Sequence, residues 1–565
     1  MENEKLPIKF FAPREVDELR IEGNKNSEKP KWVLRGKELK QRADSLRLSL
    51  DSLETKFSMR KSSPVPFSFI VKLQSDATAK SKREDITNLF EQKSFGGVVG
   101  LTDTNKLIVA LDSLEELKEV ANRINDYEIN DYAISCIEDF EEFVPYIVKG
   151  KKECNYKIKL VDYQNYEQNL AMRRRLEHTL NKEGIDYTKT DYSEEYYIYK
   201  LRNITEKSLD VLKKADIFNA LFSIEPMPKY KVSLDCLKSD NNIPIKKPDD
   251  EKMYITIGIL DNGIANIPHL SPWMEMDRWS PYPKTSINPT HGTFVSGIAL
   301  YGDECEGKIW VDHKGLKIFD AAVFPDVTKE GLDEDELIAN IKDVIRLYHE
   351  KVKIWNLSIS ITREVIDTKF SDFAIALDSI QDEYNVLICK SAGNCENFTV
   401  SRPKGRIHEG ADSVRSLVVR SVAHKKGKYD YAEVNDPSPF SRVGPGPEYI
   451  IKPEVSHYGG NAGIDPKGRV VTSGVKSFSK EGELAQGVGT SFSTPRITAL
   501  AAGLQQELNE DFDPLLLKAL IIHSASYPED MSVPITERTK QVGFGIPKSV
   551  PEIIYNSPYE ARNVK

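Results

Sequence analysis

No stretch of the 565-residue chain approaches the roughly 18 uninterrupted apolar residues that a membrane span requires, so no membrane is expected as a partner. Cysteine is scarce. The six residues, Cys136, Cys154, Cys236, Cys305, Cys389 and Cys395, are scattered without a CxxC pair, which argues against a zinc site or dithiol redox chemistry and leaves buried or incidental thiols. No HExxH occurs, so zinc-peptidase chemistry of that type has no residues to run on. Positive charge is not in excess either: 78 Lys plus Arg against 87 Asp plus Glu give −9, with no cationic field to attract nucleic acid. The densest basic run, Arg173 to Arg175, reads as a solvated helix face. The opening MENEKLPIKFF carries acids and lacks the apolar stretch of about 7–15 residues that marks a secretory signal, so a cytoplasmic location is expected.

What is present is an ordinary globular composition, 39% hydrophobic and 29% charged, and a length that suits roughly three or four domains. Residues 1–64 are polar, with a helix expected from Glu38 to Phe57 on the spacing of Leu39, Leu46, Leu50 and Leu53; they read as a lead-in arm. Two copies of one rhythm follow, at 65–150 and 151–237. The first has strands at 67–73, 106–111 and 132–138 with helices near 82–92 and 114–124; the second has strands near 155, 196 and 220 with helices at 165–182 and 204–214. Ser113 with Glu116, and Asn203 with Glu206, place a small polar cap three residues ahead of an acid at the second helix of each copy. Each copy is expected to be an α+β split βαβ module of ferredoxin-like type. A polar linker over 238–252 separates this half from 253–555, where the apolar runs ITIGIL, LKIFDAAVF, VKIWNLS, NVLICKS and SLVVRSV alternate with amphipathic helices. That is the rhythm of an α/β domain with a mostly parallel sheet covered by helices.

Candidate chemistry gathers in this second half. Asp261 follows ITIGIL directly, at the carboxyl end of an expected parallel strand, where open α/β sheets collect functional groups, although a turn-forming Asp would look the same. His291 opens the stretch HGTFVSG, in which small residues allow a helix to pack closely on the sheet. Asn394 ends SAGN after the NVLICKS strand. Ser491 stands in GVGTSFSTP, at the start of an expected helix whose N-terminal N–H groups favour developing negative charge. Pro495 is expected in its first turn, where the missing N–H has no intrahelical partner. A GxSxG hydrolase elbow is excluded, because residue 493 is Ser and the chain order is Asp, His, Asn, Ser.

Those stretches, DNG at 261, HGTFVSG at 291, WNLSIS at 355, SAGN at 391 and GTSFSTP at 489, make the chain resemble the subtilisin-like serine proteases, with weaker echoes in SPFSRVGP, IKPEVSHYGG, LKALIIHSAS and GFG. The resemblance implies an endopeptidase with Ser491 as nucleophile, His291 as general base, Asp261 orienting the imidazole, and the Asn394 amide with the Ser491 N–H as oxyanion donors. It implies that Asn356, Leu357, Ser358, Ile359 and Ser360 pair with an extended protein or peptide substrate; Ser360 stands where relatives usually carry Gly, which would narrow the first specificity pocket. No cofactor is required and no catalytic metal is implied; structural calcium is left open and unassigned. By the same resemblance the first half corresponds to a propeptide, doubled, with residues 220–240 passing the catalytic cleft and restraining it, or else to a constitutive docking module. Analogy with bacterial cytoplasmic subtilisins suggests an AAA-type ATPase partner and a part in defence against phage. The rival expectation is a catalytically silent peptide-binding protein of protease fold.

Overall fold

In this computed structural model the described residues are 32–555 except 59–63, 75–82, 92–95, 104, 151–153, 231–236, 239–242, 327–330, 360–362, 396–397, 399–404 and 510. They divide into two compact units, one holding residues 32–190 and 197–227 and the other 191–196 and 228–555.

The first unit opens with helix α1 (Gly36–Ser58), then β1 (Phe67–Leu73), α2 (Arg83–Phe90), β2 (Gly96–Asp103), β3 (Lys106–Leu111), α3 (Leu114–Asn125), α4 (Asp131–Cys136) and β4 (Ile137–Glu142). The strands form an antiparallel sheet in the order β2-β3-β1-β4. A second sheet follows from β5 (Tyr146–Ile147), β6 (Cys154–Leu160), α5 (Tyr166–Lys182), β7 (Tyr187–Ser193), β8 (Tyr196–Ile204), α6 (Glu206–Lys214) and β9 (Leu221–Pro226), in the order β5-β9-β6-β8-β7. The run FSFIVKL is largely apolar because both faces of β1 are covered, Lys72 alone being partly exposed. Phe67, Phe69, Val71 and Leu73 join one core, while Ile70 joins a second core with Ile158, Leu176 and Ile224.

Three expectations change here. The strand expected over 132–138 is helix α4 as far as Cys136, and the last strand, β4, begins only at Ile137. Helix α1 is no separate arm: Leu39, Ala43, Leu46, Leu50, Leu53 and Phe57 lie in the same core as β1, and the Phe57 ring stacks on Phe67 at 4.8 Å. Its apolar stripe needed a partner surface, and the first sheet supplies it. The Ser113 hydroxyl does accept from Glu116 N at 3.2 Å, and the Glu116 carboxylate reaches back to Asp112 N at 2.7 Å. In the second copy, however, strand β8 runs on to Ile204, so the helix cap falls on Thr205, which accepts from Ser208 N, and not on Asn203.

Among the described residues the second unit contains one large sheet and three small ones. Strand β10 (Lys229–Tyr230) and β11 (Leu237–Lys238) precede the linker. The expected linker is not free: Lys246 N donates to the Tyr301 hydroxyl at 2.8 Å, and Trp273 Nε1 donates to Lys246 O at 3.0 Å. Then come β12 (Thr256–Asp261), α7 (Thr290–Glu306), β13 (Lys317–Ala322), β14 (Leu332–Asp333), α8 (Glu334–Tyr348), β15 (Ile354–Leu357), α9 (Asp372–Tyr384), β16 (Leu387–Ser391) and β17 (Leu417–Val422). The chain ends in β18 (Val455–Tyr458), β19 (Asn461–Ile464), β20 (Val470–Ser473), β21 (Val475–Phe478), β22 (Leu484–Gly487), α10 (Thr490–Leu508), α11 (Pro514–Ser524), α12 (Ile535–Val542) and α13 (Val550–Ile554). Six strands make one parallel sheet in the order β13-β12-β15-β16-β17-β18. Side chains from Ile257, Ile354, Leu387, Cys389 and Val419 pack with α7 and α10 in one core. On the opposite face the Phe319 ring meets Tyr348 of α8 at 4.4 Å. The sheet thus points its carboxyl edge at the loops that carry Asp261 and Asn394.

Candidate active site

Asp261 is the last residue of β12 and is fully buried. Its Oδ1 accepts from Asn262 N at 2.8 Å, and its two oxygens lie 2.9 and 2.8 Å from His291 Nδ1. A carboxylate can only accept, so Nδ1 carries the hydrogen and Nε2 is left with its lone pair. His291 is the second residue of α7, 2% exposed. The helix can start this close to the β12 loop only because residue 292 is Gly: a Cβ there would overlap the carbonyl oxygen of Gly263.

The loop between them is clamped from the side. Asp320 on β13 accepts from Ile264 N at 3.0 Å and from Arg278 Nε at 2.6 Å, and Arg278 Nη2 also donates to Ile264 O. Burial pushes the Asp320 carboxyl up to about 6; the Arg278 charge opposes this, and the nearby Asp261 adds to it.

Ser491 is the second residue of α10 and is half-buried. The helix begins at Thr490, so Pro495 lies inside it and not in the first turn. Its missing N–H would have bonded to Ser491 O. The Ser358 hydroxyl takes that place, donating to Ser491 O at 3.0 Å, and the Ser491 hydroxyl in turn donates to Ser358 O at 2.9 Å. No hydrogen bond joins Ser491 Oγ to His291 among the described residues; the two helices meet through Phe492, whose ring centroid lies 4.6 Å from that of Phe294 and 5.8 Å from that of His291.

Asn394 follows β16. Its Oδ1 accepts from Thr490 N at 2.9 Å and from Thr490 Oγ1 at 3.0 Å, and Thr490 Oγ1 accepts from Gly393 N at 3.2 Å. These bonds fix the amide with Nδ2 at the far end, 3.2 Å from where a Cβ on Gly489 would lie. Arg442 Nε holds the Asn394 carbonyl at 2.8 Å. Sequence reasoning named Asn394 but passed over Thr490 and Arg442, although Thr490 lies within the quoted GTSFSTP.

The stretch 356–360 divides. Asn356 and Leu357 are fully buried inside the sheet, with Asn356 paired to both β12 and β16, and the Asn356 amide is engaged by Ser358 Oγ and Thr498 Oγ1. The ladder occupies Asn356 on both sides and Leu357 on the β16 side, so Asn356 has no free backbone edge for an added strand. Ser358 and Ile359 lie beyond the last pairing, and Ser360 falls outside the described residues. Among the described residues no group of three or more His, Cys, Asp or Glu is placed to hold a metal ion, and no helix is long and apolar enough to cross a membrane. Burial pushes the Cys305 and Cys389 thiols up to about 12.

An uncharacterized protein of Sinorhizobium fredii (strain NBRC 101917 / NGR234), y4bN, is 30% identical over 234 residues, covering 35% of this chain and 53% of that one, so the chain spans about half the length of the curated relative it matches. Among solved structures, the epidermin leader peptide processing serine protease of Staphylococcus aureus has 15% identity and a TM-score of 0.45 over 73% of this chain and 100% of its own. Fervidolysin from Fervidobacterium pennivorans, a keratinolytic enzyme related to subtilisin, has 14% identity and a TM-score of 0.47 over 74% and 64%. The sequence pattern of the subtilase family spans residues 253–546, from the start of the large sheet to the end of α12, and with it the protein is placed in the subtilase family of serine endopeptidases.

Proposed function

We propose that the chain cleaves peptide bonds in protein substrates through an acyl-enzyme on Ser491. Serine is a weak nucleophile at neutral pH, so a base must take its proton as the bond to the peptide carbonyl forms. His291 Nε2 is that base in this reading: the Ser491 hydroxyl leaves Ser358 O by rotating about χ1, donates to Nε2 and attacks. Asp261 keeps the imidazole in the productive tautomer and stabilises the imidazolium; the proton then passes to the leaving amine. Asn394 Nδ2 and the Ser491 N–H, at a helix start where no intrahelical acceptor competes, hold the oxyanion. The observation that carries the reading is the buried Asp261–His291 pair at 2.8 Å, set at the sheet edge where α10 also begins.

Residues 220–240 would restrain the cleft until cleavage or a partner removes them. Support comes from two pairings within the stretch: β10 pairs antiparallel with β14, directly ahead of α8, and β11 pairs antiparallel with β22, whose last residue, Gly487, leads into Thr490.

Casein hydrolysis by the full chain beside Ser491→Ala and Asp261→Asn tests the function. Cleavage that disappears with Ser491→Ala and falls about 10⁴-fold with Asp261→Asn is expected. Casein left intact by the wild-type chain, with and without removal of the restraint, would favour a silent peptide-binding protein.

A further inference from the structure

We infer that Lys390, flanked by His408, selects a carboxylate side chain on the residue whose carbonyl Ser491 attacks, so that cleavage follows Asp or Glu. The inference rests on the endopeptidase reading above and adds its substrate class.

Strands β15 and β16 are hydrogen-bonded neighbours. The chain leaving β15 carries the Ser358 carbonyl that receives the Ser491 hydroxyl, and the chain leaving β16 carries the Asn394 amide. A residue whose carbonyl carbon meets Ser491 while its oxygen meets Asn394 hangs its side chain toward the space between those two exits. Lys390 bridges them. Its Nζ donates to Ile359 O on one side and to Ser391 O at 2.9 Å on the other, with Ser391 Oγ at 3.4 Å. His408 stands behind Gly393: its N–H donates to Ala392 O at 3.1 Å, and a Cβ on Gly393 would overlap its ring. The ring is 5% exposed, and neither of its nitrogens has a hydrogen-bond partner.

The charge balance at this spot is incomplete. Lys390 is fully buried, and among the described residues no carboxylate lies within ion-pair distance of it. The neighbouring acids are engaged elsewhere. Asp412 accepts from Ser371 N, Ser371 Oγ and Gly410 N; Glu364 pairs with Arg442; Glu409 pairs with Arg363. A buried cation held only by carbonyls is costly, and an entering carboxylate supplies the missing countercharge. Burial pushes the Lys390 ammonium down to about 7 against the opposing Asp412 charge, so an acidic side chain would restore its full protonation. Burial, with the Arg442 and Lys390 charges, pushes His408 down to about 2, leaving a neutral ring with one N–H to donate.

The test uses the full chain and fluorogenic peptides that differ only in the residue before the cleaved bond: Glu, Asp, Gln, Leu or Phe. Glu and Asp are expected to exceed Gln and Leu roughly 10- to 100-fold in kcat/KM, mainly through KM. Lys390→Met should bring Glu down to the Gln level, and Lys390→Arg should retain the acidic preference. Ser491-dependent cleavage in which Glu is no better than Gln, or Leu and Phe are preferred, overturns the inference and leaves the endopeptidase standing. No Ser491-dependent cleavage of any peptide sinks both. If Lys390→Met does not fold, the wild-type Glu-to-Gln ratio decides alone.

Discussion

The proposed oxyanion donor must be aimed before the negative charge appears, and the Asn394 amide is held by Thr490, whose N–H and hydroxyl both reach its Oδ1. Asn394→Ala is expected to keep the fold, read by circular dichroism, and to lose roughly 10²–10³ in turnover, the loss known for a subtilisin lacking one such donor. Asp320 gives a pH signature. Its folded-state value of about 6 lies above the ordinary 3.8, so between those values the folded protein holds a proton that the unfolded chain has released. Stability therefore falls as pH rises through that window. The urea midpoint of the wild type should drop across it more than that of Asp320→Asn; parallel curves would contradict the buried environment. Asp261 ends a strand, His291 and Ser491 open helices and Asn394 follows a strand, each within a recognisable run, and so the sequence could name them as candidates. Thr490, Arg442 and Lys390 were not, since their roles depend on which chain exits become neighbours in space.

Elements position these groups by close approach. Pro495 sits inside α10, and Ser358 supplies the donor that proline withholds from Ser491 O. Ser358→Ala leaves that carbonyl without its donor, and a loss of about 1–3 kcal/mol in urea unfolding is expected; an unchanged midpoint would show that the carbonyl finds another donor. The five apolar runs read from the sequence became β12, β13, β15, β16 and β17, their ends shifted by a residue or two. The sixth strand, β18, escaped strand assignment because Val455–Tyr458 is short and stops at Gly459-Gly460, leaving too little periodicity to detect. Asn356 was taken as substrate-facing because a motif does not reveal where a strand's last pairing falls.

For the whole molecule, separate cores explain the two compact units: one joins α1 to the first sheet, and another fills the space between the parallel sheet, α7 and α10. The apolar stripe of α1 was visible in the sequence, but its partner surface was not, because the pairing spans residues far apart in the chain. The restraint proposed for residues 220–240 makes a whole-chain prediction. Successive residues of an antiparallel strand alternate in donating to a given neighbour, so replacing both β11 residues (Leu237→Pro with Lys238→Pro) removes whichever N–H donates to β22 and should raise the rate of peptide cleavage by the intact chain. An unchanged rate would assign β11 to packing alone. The most direct measurement of the central claim is the rate at which a serine-directed fluorophosphonate labels the full-length protein, with the modified residue mapped by mass spectrometry. The account predicts labelling on Ser491 that is absent in Ser491→Ala and strongly slowed in His291→Ala. Labelling on another serine, or labelling of Ser491 at the same rate without His291, would contradict it.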